Sequence, residues 1–173
     1  MNLSDTKTIN ADRETVFAAL LNPEVLKACV PGCQEMSGSP EDGFEATVVQ
    51  KVGPVKATFK GAVQLSDMNR PESLTITGEG KGGAAGFAKG GANVRLEADG
   101  DQTILHYEVE AKVGGKLAQL GSRIIDGFAK KMADQFFSNF QEAVGGPDEA
   151  ALAGAEAEAE PAKPKGWFQR LKG

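Results

Sequence analysis

Apolar and polar residues alternate along this chain with two periods, and the points where the period changes divide it into elements. Leu3 to Asn10 follows period two and predicts a first strand. After Ala11-Asp12-Arg13, the residues Val16, Phe17, Leu20 and Leu21 fall on one helical face, with Asp12 placed to cap it. Asn22-Pro23 restarts the chain at a second short helix carrying Val25, Leu26 and Cys29, since proline suits a first turn. Pro31-Gly32 ends that helix. From Cys33 to Val113 period two returns. In its clearest stretch Val55, Ala57, Phe59, Gly61, Val63 and Leu65 share one face, and Lys56, Thr58, Lys60 and Gln64 share the other. That is a strand with one wet side. Turns at Gly53-Pro54, Asn69-Arg70-Pro71 and Gly100-Asp101 join such strands into an antiparallel meander.

Between Gly115 and Gly145 the pattern changes again. Leu117, Leu120, Ile124, Phe128, Met132, Phe136 and Phe140 recur every three or four residues without a proline, predicting one amphipathic helix of about 45 Å. Its polar side holds Arg123, Asp126, Lys130, Lys131, Asp134 and Glu142. The expected class is α+β: a curved antiparallel sheet of about six or seven strands wrapped on a long C-terminal helix, with two short helices after the first strand. Ala57, Gly61, Gly78, Ala92, Ala98 and Ala111 fall at or near the inner face, so the interior is underfilled and a cavity is expected beneath the helix. Its expected lining is Phe59, Val63, Ile76, Phe87, Val94, Leu96, Tyr107, Phe128, Met132 and Phe136, each of which also suits plain core. Phe87, in the glycine-rich run Gly78 to Gly91, and Met132 are the expected gates.

Composition narrows the function. The 173 residues carry a net charge of −5, which argues against nucleic acid and against adhesion of the whole molecule to anionic lipid. Neither a signal peptide nor a spanning segment is legible, so a cytoplasmic location is expected. One folded domain is expected over 1–146, then an Ala/Glu/Pro linker over 147–165 and a short tail over 166–173. In that tail Trp167, Phe168 and Leu171 fall on one side of a helix, with Lys165, Arg170 and Lys172 beside them. This is the composition of a weak, reversible membrane anchor, although docking on a partner protein fits too. Cys29 and Cys33 read as structural thiols, His106 alternates toward solvent, and no metal ligand set or catalytic triad emerges. Gly78-Glu79-Gly80-Lys81-Gly82-Gly83 matches a dinucleotide fingerprint in letters only, because a strand follows it rather than a helix. A flap over the cavity mouth or a partner-contact loop is the better reading of that run.

Several motifs resemble the carbon monoxide dehydrogenase G-subunit (CoxG) family. They are Val30-Pro31-Gly32-Cys33, Gly53-Pro54-Val55 through Phe59-Lys60-Gly61, Gly80-Lys81-Gly82 with Ala88-Lys89-Gly90, and Gly114 through Gly121. The resemblance covers about residues 1–145 and implies the helix-grip fold of lipid-transfer domains and polyketide cyclases. It further implies an accessory to a molybdenum hydroxylase such as carbon monoxide dehydrogenase, recruiting that enzyme to the membrane. The implied cargo is a quinone or lipid held without a covalent cofactor. A cyclase or hydratase on the same scaffold, and an assembly factor without ligand, are the alternative readings.

Overall fold

The computed structural model describes residues 1–145. Strand β1 (Asn2–Ile9) leads into helices α1 (Arg13–Leu20) and α2 (Pro23–Cys29). Strands β2 (Cys33–Ser39), β3 (Gly43–Val52), β4 (Val55–Asn69), β5 (Ser73–Lys81), β6 (Phe87–Asp99) and β7 (Gln102–Gly114) follow, then α3 (Lys116–Gln119) and α4 (Ser122–Gly145). All seven strands form one antiparallel sheet in the order β1-β7-β6-β5-β4-β3-β2. The meander is complete, and β1 closes its edge against β7. Asn22 caps α2 by accepting from the Glu24 backbone N–H at 2.9 Å, and Pro23 occupies the first turn.

One expectation needs correction. The C-terminal segment is two helices, not one. Gly121 adopts φ +90°, a conformation that interrupts the α-helix, and α4 proper has 24 residues, about 36 Å. The break lets Leu117 of α3 turn inward and become buried.

Core packing is concentrated at one end. Ile9, Val16, Phe17, Leu74, Leu96, Leu105, Tyr107 and Phe140 belong to one buried cluster, against which Ala133, Phe136, Phe137 and Val144 of α4 pack. Phe137 stacks on Tyr107 with centroids 5.1 Å apart, and it meets Phe136 edge-on at 5.0 Å. Polar contacts pin the same part of the helix. Asn139 Nδ2 donates to the Cys29 carbonyl at 2.9 Å, and the Asn10 backbone N–H donates to Gln141 Oε1 at 2.9 Å. Lys7 Nζ on β1 lies 2.8 Å from Asp134 Oδ1.

This grip is open to test at two points. Phe140 is fully buried, so Phe140→Ala is expected to cost about 3–5 kcal/mol, read by thermal unfolding as a Tm fall of about 10 °C. The hydrogen bond from Lys7 holds the Asp134 carboxyl below its ordinary range, while that bond raises Lys7 above its own. Asp134 therefore contributes stability above the unfolded carboxylate value and loses it as pH falls through its lowered folded value. Lys7 contributes below the ordinary lysine range and loses its part as pH rises through its raised value. Asp134→Asn is expected to lower Tm at neutral pH and to flatten its decline below about pH 3.8. Superimposable Tm–pH curves for parent and variant would remove the pair from the account.

Candidate functional site

Cross-strand register arranges the inner face of the sheet in rows that change character from one end to the other. At the far end Leu96 pairs with Leu105, and Leu74 with Val94 and Tyr107. These bulky rows meet the aromatic residues of α4. Toward the other end the rows read Val63–Gly78–Gly90–Ala111 and Gly61–Gly80–Ala88–Val113. Glycine and alanine cannot reach a helix whose axis is already set by phenylalanines further along. A cavity of about 380 Å³ remains between these rows and the first half of α4. Its volume lies in the range of small-molecule sites.

The cavity is lined by Leu3, Val48, Val52, Phe59, Gly80, Ala88, Val109, Ala111 and Val113 of the sheet, with Met1 at its N-terminal edge. Leu117, Ile125, Phe128, Ala129, Met132 and Ala133 close it from the helices. Gln50 is the one polar side chain in the lining, and its Nε2 donates to the Pro31 carbonyl. No lining side chain is ionisable. Such a surface binds by taking carbon out of water and leaves place for little more than one polar group on a ligand.

Of the expected lining residues, Phe59, Phe128 and Met132 meet in the cavity. Val94, Leu96 and Tyr107 are instead buried in the filled core at the far end, with Phe136 and Ile76 packed against that core. Burial raises the Tyr107 hydroxyl pKa, as a core position demands. Val63 faces inward one row from the cavity but does not line it. Phe87 is on the opposite face of the sheet and 46% exposed, so it does not gate this space. Its neighbour Ala88 takes the inward position, a consequence of period two. Of the small residues expected at the lining, Ala111 is there; Gly80, Ala88, Ala129 and Ala133 were missed. The run Gly78 to Gly91 is not a free loop either. It is mostly the β5–β6 hairpin, joined by one 3-10 turn at Gly83–Ala85.

Elsewhere the chemistry is quiet. A hollow of about 600 Å³ on the outer face is lined by polar groups such as Ser4, Thr6, Thr75, Asn93, Arg95 and Glu108. Thr75 Oγ1 donates there to Asn93 Oδ1 at 3.1 Å. His106 faces the same side and lies 3.1 Å from Thr6 Oγ1 and 3.0 Å from Glu97 Oε1. Cys29 and Cys33 are free thiols whose pKa burial pushes up, which lowers their reactivity. Among the described residues no cluster of three or more His, Cys, Asp or Glu is placed to hold a metal. None of their helices is long and apolar enough to cross a membrane. The expected tail residues Trp167, Phe168, Arg170, Leu171 and Lys172 lie outside the described residues, as does the linker.

Gly82 tests the packing at the mouth. Its φ is −114°, so the backbone alone would accept alanine, but a Cβ there would stand 2.5 Å from the Phe59 ring. Gly82→Ala is expected to cost about 1–3 kcal/mol in denaturant unfolding by pushing Phe59 into the cavity. Adding Phe59→Ala should recover the clash component, giving a nonadditive cycle; strictly additive losses would contradict this packing.

Comparison with known proteins agrees with this geometry. A sequence profile for the carbon monoxide dehydrogenase G-subunit (CoxG) matches residues 6–145. No curated protein matches the chain. Among solved structures, a conserved protein from Geobacillus kaustophilus superposes with TM-score 0.78 at 27% identity, covering 83% of this chain and 95% of that one. A START superfamily protein from Mycobacterium smegmatis gives TM-score 0.61 at 14% identity, covering 83% and 96%. Protein CV1439 from Chromobacterium violaceum gives 0.62 at 15%, covering 86% and 99%. The architecture is the START-like helix-grip fold.

Proposed function

Since the chain belongs to the CoxG family of carbon monoxide dehydrogenase, we propose that it is a non-enzymatic carrier for an apolar molecule of quinone or lipid type. Family and fold support a ligand-binding accessory role. The cavity supports the finer reading: about 380 Å³ of space walled by carbon, with Gln50 as its single polar side chain. Each 100 Å² of apolar ligand surface withdrawn from water there contributes about 2.5 kcal/mol. The partner in this proposal is a molybdenum hydroxylase of the carbon monoxide dehydrogenase kind, and the place of exchange is the membrane surface. The Trp167–Phe168–Leu171 tail supplies an intermittent hold on that surface. A cyclase or hydratase needs an acid or base aimed at its substrate, and the lining offers no such side chain.

The test is organic extraction of the purified full chain followed by mass spectrometry. A near-stoichiometric apolar compound is expected from the parent. Ala129→Phe, which fills the cavity from α4, should reduce its recovery at least tenfold while Tm holds or rises. Equal recovery from both proteins would place the compound elsewhere, and repeated empty parent protein would favour an assembly factor.

A further inference from the structure

The topology gathers cations at the cavity end. The β3–β4 turn, the β5–β6 turn, the end of β7 and the start of α4 all lie at that end, as do the lining residues Met1, Val52, Gly80, Ala88 and Leu117. On the outer face there, register places lysine directly opposite lysine three times: Lys51 with Lys56, Lys60 with Lys81, and Lys89 with Lys112. Like charges in facing positions cost a sheet stability. All six are exposed, and among the described residues no carboxylate stands within ion-pair distance of any of them. Lys116 and Arg123 add to the same end, against Glu79, which pairs in register with Lys89, and Glu110 and Asp126. The opposite end is anionic: its turns hold Glu41, Asp42, Glu72, Asp99 and Asp101. A chain of net charge −5 thus keeps a cationic rim around the end that holds its cavity.

Resting on the carrier reading, we infer that this rim is a docking face for an anionic lipid surface, bringing the cavity end of the domain itself onto the membrane. Lysine's compact, flexible charge suits mobile phosphate headgroups, whereas protein interfaces favour arginine and are depleted in lysine. Here arginine contributes only Arg123. Phe87 and Ile124, 46% and 41% exposed, stand at the same end with apolar surface to offer the headgroup zone. The described chain leaves the domain at the other end, where Gly145 lies against Asn10, so rim and tail can be varied separately.

Flotation of the full chain on vesicles of phosphatidylcholine alone, or with about one-third phosphatidylglycerol, tests this. The parent is expected on anionic vesicles and not on neutral ones, and about 0.5 M salt should release it. Lys56→Glu with Lys81→Glu and Lys112→Glu turns each facing pair into one of opposite charge, so Tm should hold or rise. Partitioning should nevertheless fall on the order of a hundredfold. The same fall is expected when Trp167→Ala, Phe168→Ala and Leu171→Ala are present in both proteins. Undiminished flotation of the lysine variant, or equal binding of the parent to neutral vesicles, overturns the inference. So does a parent that binds no vesicle yet is held, salt-sensitively, on immobilised polyglutamate, an outcome that assigns the rim to an acidic protein. Recovery of the apolar compound in organic extracts is unaffected by the lysine changes if the carrier reading holds, so the two fail separately.

Discussion

Helix α4 is gripped by one half only, and this asymmetry sets what the rest of the molecule can be. Phe136, Phe137 and Phe140 lock the C-terminal half into the buried cluster around Tyr107 and Leu105. A rigid helix fixed at one end has its height above the sheet decided there, because backbone hydrogen bonds do not let it sag. Beyond the last phenylalanine contact the sheet presents Gly78, Gly80, Ala88 and Gly90, whose side chains stop well short of that height. Met132, Phe128 and Ile125 bridge part of the gap, and the remainder is the cavity.

Leaving that space has a thermodynamic meaning. Atoms lining a void lose dispersion partners, so the unfilled end is weaker than the filled one. The loss is tolerated because the sheet ladder is continuous and the core at the far end is complete, with Phe17, Phe140, Ile9 and Leu105 at 1% exposure or less. Any molecule that fills the space restores the missing contacts and binds the folded state alone, so occupancy and stability are linked. The Lys7–Asp134 and Asn10–Gln141 contacts keep the helix from tilting inward to heal the gap itself.

Much of the fold was legible because period two and period 3.6 are strong signals over runs as long as β4 and α4. The two short helices, the meander and the covering helix all follow from spacing and from Pro23, Gly53-Pro54 and Gly100-Asp101. The break at Gly121 was less legible, since Leu117 and Leu120 continue the helical spacing across it and only a single glycine marks it. The cavity was foreseen in kind but not in place. Alternation tells that Phe59, Val94 and Tyr107 face inward, and cannot tell which of them meets a filled neighbour. That depends on cross-strand register, in which Gly80 opposes Gly61 and Ala88 while Val94 opposes Leu74 and Tyr107. Phe87 was misplaced for a different reason: read as part of a glycine loop it had no defined face, whereas in β6 its parity is fixed.

The same register resolves a conflict between whole-molecule charge and local charge. A net charge of −5 argues against anionic surfaces only if charge is spread evenly, and here it is not. Screening confines electrostatic contact to about 8 Å at physiological salt, so a flat surface touching one end responds to that end alone. The paired lysines and the acidic turns lie at opposite ends of strands such as β4, whose 15 residues span about 50 Å. They are therefore several screening lengths apart. An anionic surface then attracts one end and repels the other, which selects orientation as well as contact. The strands that carry lysine on one face carry the cavity's glycines and alanines on the other, so the orienting charge and the underfilled interior belong to the same few residues of backbone.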